Sequence, residues 1–325
     1  EILCAGNTTM EHIFAGVSPE SIGRAPYAPA EYFTDGGALA GEAFPNAKIR
    51  LVPCVSGYIG GDTVAAVHAT GMAERGGVRL LMDIGTNGEL VLGGRDGLLS
   101  CSVACGPAFE GAEISCGMRS VPGAISRVSF AQGEFWYVVI GGGYPKGICG
   151  TGIVDALAEM LKSGVIDGTG RLLEPDELPE GLRETVSVNK KGHLSFTVAP
   201  GVKLRAADIR KLQLAKAAVR AGVELLVRRA GVTWDDIDEV YLAGGFGTRL
   251  NIASAAEIGL IPKELAGKTR AIGNAALDGA HRALCSPEGF ERLLDIRGRC
   301  EYMELSGSAE FSDAFVDAMA FYEED

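Results

Sequence analysis

Residues 80–94 read LLMDIGTNGELVLGG, an apolar strand that runs into Asp83, turns through Gly85-Thr86-Asn87-Gly88 and returns as a second strand. Two glycines let a backbone turn tightly with positive φ and bring its N–H groups close to a ligand. Successive N–H groups in such a turn form a concave anion site. Thr86 and Asn87 add side-chain donors. Asp83, at the strand's C-terminal end, is suited to orient water bound to Mg²⁺, which keeps several waters and takes few carboxylates. The chemistry that fits is the binding of a polyphosphate together with its metal. A plain type I′ hairpin, for which Asn87-Gly88 alone suffices, fits the same residues.

Two further glycine clusters bear on that choice. GICGTG, residues 147–152, stands immediately before a strongly amphipathic stretch, so Gly150, Thr151 and Gly152 open a helix whose amides and dipole suit a phosphate. LAGGFG, residues 242–247, ends an apolar strand, and Gly244 and Gly245 leave room for a flat base or ribose against the backbone. GPAFEGAEISCGMR, residues 106–119, sets Phe109 and Glu110 among glycines. That loop, with Ser102 nearby, is expected to face a partner's cofactor; otherwise Gly106 and Pro107 turn the chain and Phe109 caps the core. Asp62 in GGDT could serve the nucleotide site, but an N-cap explains it more cheaply. Gln213 and Lys216 are expected in solvent more than in a nucleotide cleft. The four histidines form no spaced pair, and neither a Gly-x-Ser-x-Gly elbow nor a His-Glu-x-x-His is present.

These groups must be positioned by a chain of 325 residues, enough for one large domain or two ordinary ones. Its 42 acidic and 30 basic residues leave a net charge of −12, a surface that a phosphate backbone would repel, so nucleic acid is excluded as a partner. No apolar run approaches the roughly 18–20 residues that span a bilayer. Eight cysteines are too sparse for a disulfide scaffold, and Cys4, Cys54, Cys149 and Cys285 lie in apolar surroundings, a pattern that fits a reducing cytoplasm. Cys101, Cys105 and Cys116 read as small buried thiols more than as a metal site. The chain opens at Glu1 directly into ILCAGNTTM, which reads as the end of a strand, so an upstream part is expected outside this sequence.

Periodicity predicts a short helix in GGDTVAAVHATG and three antiparallel strands over 78–104. It predicts a hairpin in SRVSFAQGEFWYVVIGG and an amphipathic helix from Gly150. Residues 165–205 read as an insertion with one strand, HLSFTV. A long helix follows in AADIRKLQLAKAAVRAGVELLVRRAG, then alternating strands and helices. The expected class is α/β, with mixed sheets flanked by helices.

The order of an Asp hairpin, a Gly-Thr-Gly helix start and a strand ending in AGGFG resembles the second half of the acetate and sugar kinase/Hsc70/actin (ASKHA) superfamily. More closely, the chain resembles the C-terminal ATPase domain of the reductive activators of corrinoid-dependent enzymes. The resemblance rests on AGNTTM (5–10), DIGTNGE (83–89), GPAFEGA (106–112), CGMR (116–119), GAI (123–125), QLAKAA (213–218) and LAGGFG (242–247). It implies a ribonuclease H-like, actin-like fold, with residues 1–76 the remainder of a first lobe and 77–325 a second lobe. It implies that Asp83, Gly85, Thr86, Asn87 and Gly88 form a phosphate loop, with Asp83, Thr86 and Asn87 catalytic. Gly244, Gly245, Phe246 and Gly247 are then expected to line the adenosine. Ser102, Gly106, Pro107, Phe109 and Glu110 would face the corrinoid partner. The implied cofactors are ATP and Mg²⁺, the latter met by Asp83 through water. The family's first phosphate loop and its N-terminal [2Fe–2S] domain, the electron donor, are absent from this sequence. Cys149 stands where related activators of 2-hydroxyacyl-CoA dehydratases share a cluster between subunits, and a homodimer is left open. The implied function is an ATPase that drives Co(II) to Co(I) in the corrinoid protein of a methyltransferase system. The rivals are a small-molecule kinase of the same superfamily and a regulatory module that binds nucleotide without turnover.

Overall fold

The computed structural model describes residues 1–35 and 46–321. Residues 1–35 hold β1 (Ile2–Cys4) and α1 (Thr8–Ala15), and β2 (Ile49–Leu51) and α2 (Gly61–Thr70) follow. β1 pairs parallel with β2, and Asn7 caps α1 by accepting the Met10 N–H at 2.9 Å. Next come β3 (Val78–Ile84), β4 (Gly88–Gly94) and β5 (Gly97–Val103), a tight antiparallel meander. After a 3₁₀ turn at Pro107–Glu110 come β6 (Ala124–Ala131), β7 (Glu134–Val139), β8 (Gly147–Ile148) and α3 (Gly150–Lys162).

The second half runs through β9 (Val186–Val188), β10 (Leu194–Ala199), β11 (Val202–Arg205) and α4 (Ala206–Ala230). β12 (Ile237–Ala243) leads into the one-turn α5 (Gly244–Gly247), then α6 (Ile252–Glu257), β13 (Thr269–Gly273) and α7 (Ala275–Leu284). α8 (Gly289–Arg299), β14 (Cys300–Tyr302) and α9 (Ala309–Asp317) are the last elements among the described residues. No helix among the described residues is long and apolar enough to cross a membrane.

The central sheet has the order β13-β12-β3-β4-β5-β14, with β12 parallel to both neighbours and β14 parallel to β5. The near-continuous apolar run of β3 is buried on both faces, as a covered sheet requires. Leu80, Met82 and Ile84 join the core under α3 and α4, while Leu81, Val91 and Tyr241 face the other way, toward α2, α7 and α8. Each such side chain contributes about 1.5–3 kcal/mol on burial. α4 lies close on the sheet because Gly222 has no Cβ; one there would stand 2.8 Å from Leu90 Cδ1.

Two expectations are corrected. The segment 165–205 carries three strands, in the order β11-β10-β9, and sends Phe196 and Leu204 into the main core. β9 and β11 have three and four residues, too few to show a period, and pairing with β10 makes them strands. Gln213 and Lys216 are buried, at 3% and 2% exposure. They hold the last described turn, residues 319–321. Gln213 Nε2 donates to the carbonyls of Thr169 (2.7 Å) and Met319 (3.1 Å). Lys216 Nζ donates to Ala320 O and lies 5.2 Å from the centre of the Phe321 ring. Lys216→Met strands the Ala320 carbonyl; it is expected to lower unfolding free energy by about 1–3 kcal/mol in urea titration and to speed chymotryptic cleavage after Phe321.

Candidate functional site

The β3–β4 hairpin closes at Ile84 opposite Gly88, around a loop of Gly85, Thr86 and Asn87 in which the Gly85 N–H donates to Asn87 O at 2.8 Å. None of these four loop positions has positive φ, so the left-handed glycines and the type I′ turn expected from Asn87-Gly88 are both absent. Three loop residues, not two, relieve the need for them. Gly88 is required for another reason: a Cβ there would stand 2.9 Å from Cys105 Sγ and 3.0 Å from Val103 Cγ2. Thr86 Oγ1 donates to Glu110 Oε1 at 2.8 Å, joining the hairpin loop to the 3₁₀ turn.

Parallel pairing sets Ala243 of β12 beside Asp83 of β3, so the LAGGFG turn emerges next to the Asp83 carboxyl. Gly244 has φ +83°, and a Cβ on it would lie 2.5 Å from Asp83 Oδ1. Gly245 faces open space. The Phe246 ring stacks on Phe109, with centroids 5.1 Å apart and planes at 29°. Gly150 packs so closely under Phe109 O that any Cβ would clash with that carbonyl. The sheet thus brings DIGTNGE, GPAFEGA, GICGTG and LAGGFG to one end of the fold. Between the last three lies a cavity of about 580 Å³, lined by Phe109, Glu110, Gly150, Thr151, Gly245 and Phe246, with Arg119 and Arg249 among its remaining lining residues. No side chain caps the first turn of α3, whose N-terminus borders this cavity.

Several expected site residues also make packing contacts, and Ser102 and Cys285 lie elsewhere. A Cβ on Gly247 would stand 3.2 Å from Leu242, and Gly152 is pressed against Ile125 O. The Thr151 hydroxyl donates to Ser126 O at 3.1 Å. Gly106, at φ +69°, opens the 3₁₀ turn that Pro107 begins. Ser102 does not join Phe109 and Glu110. It lines a separate cleft of about 460 Å³ with Asn87, Tyr27, Tyr58 and Tyr302. Cys149 is 1% exposed, a buried thiol with Sγ 3.4 Å from Thr151 Oγ1. Cys285, expected in apolar surroundings, is exposed after the last turn of α7.

Sequence reasoning weighed Asp62 for the nucleotide site but passed over Glu11 and Glu89, the other carboxyl groups around Asp83. Asp62 is not an N-cap: Gly60 holds that place with no side-chain cap, and Asp62 sits in the first turn of α2. Its Oδ1 accepts the Thr63 N–H at 2.7 Å. Glu89 lies opposite Asp83 in the hairpin register. Burial and the Asp62 charge push Asp83 up to about 6, and burial with Asp62 and Asp83 pushes Glu89 up to about 8. Burial raises Asp62 as well. Glu11, 2% exposed, accepts the Gly6 N–H at 3.1 Å, while its Oε2 is buried without a partner among the described residues. Burial, with the Asp62 charge adding to it, pushes it up to about 9. The one sequence cue was Gly60-Gly61, where a side chain would collide with the Asn7 backbone or with Glu11 itself.

The raised carboxyls make stability depend on pH. Folded protein holds protons that the unfolded chain releases between the ordinary value of 4.5 and about 9 for Glu11. Their stabilisation is full below that window and is lost as pH rises through it. Glu11→Gln keeps the acceptor for Gly6 and removes one such group. It is expected to flatten the fall in unfolding free energy across the window by up to about 1.4 kcal/mol per pH unit, measured by urea titration. Gly244→Ala forces a strained φ against Asp83 and is expected to cost about 1–3 kcal/mol, read from thermal unfolding.

Residues 77–325 match the protein family described as the C-terminal domain of RACo, the ASKHA domain, and residues 1–75 match the RACo middle region. The chain is 34% identical over 325 residues to the corrinoid activation enzyme RamQ of Eubacterium limosum, covering 96% of this chain and 54% of that protein. It is 24% identical over 302 residues to the [Co(II) methylated amine-specific corrinoid protein] reductase of Methanosarcina barkeri, covering 85% and 52%. Among solved structures it is similar to a reductive activator for corrinoid, iron–sulfur protein, with a TM-score of 0.85, 37% identity, and coverage of 98% of this chain and 52% of that one. The chain spans about half the length of these relatives.

Proposed function

This chain belongs to the RACo family, as a middle region followed by an ASKHA domain, and from that premise we propose that it is the ATP-operated part of a corrinoid reductive activase. The whole protein would return Co(II) to Co(I) in the corrinoid protein of a cytoplasmic methyltransferase system. The observation that carries this reading is the meeting of the glycine-rich turns around Asp83, with Gly244 beside its carboxyl and the uncapped start of α3 across the cavity. Gly245 and Phe246 then line the adenosine, and the amides of Gly85, Thr86 and Asn87 meet the phosphates. Thr86 exchanges its bond to Glu110 for one to phosphate.

Phosphate cleavage in this site is a matter of positioning and charge. ATP and water give ADP and phosphate, and Asp83, whose affinity for a proton is already raised, orients the attacking water. Four crowded carboxyls and the unpartnered Glu11 Oε2 make a donor set short of positive charge, which suits Mg²⁺ arriving with the nucleotide. Among the described residues no three His, Cys, Asp or Glu side chains are arranged to ligate a metal directly, so Asp83 would meet that cation through water. In this reading the electron comes from an iron–sulfur domain outside this chain. The partners are that domain and a corrinoid protein. Nucleotide alters the activase's grip on the corrinoid protein only through its different affinity for the two states.

The test is anaerobic purification of the full-length polypeptide, iron analysis, and the Co(I) absorption of a corrinoid protein with and without ATP. About two irons per chain and ATP-dependent Co(I) are expected, and Asp83→Asn is expected to slow both ATP turnover and Co(I) formation roughly a hundredfold. Turnover of ATP with phosphate transferred to a small acid or sugar, and no cobalt reduction, would move the assignment to a kinase.

A further inference from the structure

Lys216 and Arg220 stand one turn apart on α4 and line one cavity of about 370 Å³. A lysine as buried as Lys216 is ordinarily paired with a counter-ion. Among the described residues neither cation forms a salt bridge. Lys216 Nζ gives one of its three N–H groups to Ala320 O, and no described residue accepts the other two. Arg220 lies 5.1 Å from the centre of the Trp234 ring, and its side chain donates no hydrogen bond to any described residue. Burial, with the Arg220 charge adding to it, pushes Lys216 down to about 7, and burial lowers Arg220 as well. Gly259 keeps the ammonium open to the cavity: it has φ +73°, and a Cβ on it would come to 3.5 Å from Lys216 Nζ.

The lining specifies the charge and shape of what fits. Two desolvated cations without counter-ions call for an anion, and a guanidinium fork matches a carboxylate through two parallel N–H bonds. Glu224 of α4, Lys263 and Glu264 of the 3₁₀ turn at Lys263–Lys268, and Asp317 of α9 complete the charged lining. None of these carboxylates takes the place of the missing counter-ion. Glu224 is bound to Arg228 at 2.5 Å, and Glu264 and Asp317 are exposed. With Lys216 and Arg220 protonated, the cations and carboxylates of the lining cancel. One added negative charge suits that balance, whereas the acidic groups repel a dianion such as phosphate. Ala256, Ile261, Ala318 and Phe321 form an apolar wall, which suits a ligand with a short hydrocarbon tail.

We propose that this cavity is a binding site for a small monocarboxylate, its carboxylate held between Lys216 and Arg220 and its tail against Ile261 and Phe321. The inference stands independently of the nucleotide reading, yet the place bears on it. Ala256 and Gly259 lie at the far end of α6, the helix that follows the LAGGFG turn. Lys216 also holds the last described turn. An occupant therefore touches both of these segments.

Isothermal titration calorimetry of the full-length polypeptide with butyrate tests it, with inorganic phosphate as the comparison. Butyrate is expected to bind at a single site, and phosphate about tenfold more weakly or not at all. Lys216 grips an anion only while protonated, so butyrate affinity is expected to fall as pH rises through about 7. Arg220→Gln is expected to weaken butyrate about tenfold, and Arg220→Lys to keep most of the affinity. Glu264→Gln changes an exposed group and is expected to tighten binding about threefold. The chain itself is one source of carboxylates, in Glu323, Glu324 and Asp325. If these supply the anion, butyrate binds only after all three are changed to amides; if a free acid does, it binds the same with or without them. Binding to neither form, an affinity that Arg220→Gln leaves unchanged, or phosphate held as tightly as butyrate would overturn the proposal.

Discussion

The parallel pairing of β12 with β3, which sets Ala243 beside Asp83, is the constraint on which the rest of the site depends. Two strands that run the same way end at the same edge of the sheet, so the turns leaving them share one crevice. Here a carboxylate ends one strand and a glycine turn extends the other. No side chain fits between them, because the first atom of one would meet Asp83. The helix α3 and the 3₁₀ turn then lean on this pair through Phe246, Phe109 and Gly150.

The site holds its parts together at a cost that the core carries. Glu11, Asp62, Asp83 and Glu89 crowd acidic groups into a place where burial and one another's charge favour the neutral forms. Such an arrangement persists only where surrounding structure over-determines it. The sheet under the hairpin does so, with Leu80, Met82 and Leu90 packed on one face and Leu81 and Val91 on the other. Proteins commonly concentrate unfavourable local choices where they bind or react.

The motifs that carry the family resemblance divide into two kinds of work. GPAFEGA and LAGGFG line the cavity, and DIGTNGE joins them through Thr86 on Glu110 and Asp83 beside Gly244. QLAKAA does not: Gln213 and Lys216 fasten the chain's last described turn to α4. AGNTTM supplies the Asn7 cap of α1 and the Gly6 amide that Glu11 grips.

Elements with a period, or with a stop signal, were legible from residue order alone: the apolar run ending at Asp83, the amphipathic turns from Gly150, the long helix closed at Gly231 and the glycines after Leu242. Local propensity and burial pattern act over a few residues, so a short window contains them. The acidic group could not be found that way, since residues 11, 62, 83 and 89 become neighbours only when α1, α2 and the β3–β4 hairpin pack. Nor could the burial of Lys216, which depends on the chain end folding back over it, or the short strands β9 and β11, which exist through their pairing with β10. The sign of φ in the hairpin loop was set by loop length, and tertiary contacts with Cys105 and Val103, not a preference for turning, account for Gly88. Distance along the chain carries no information about such meetings. The sheet order decides them.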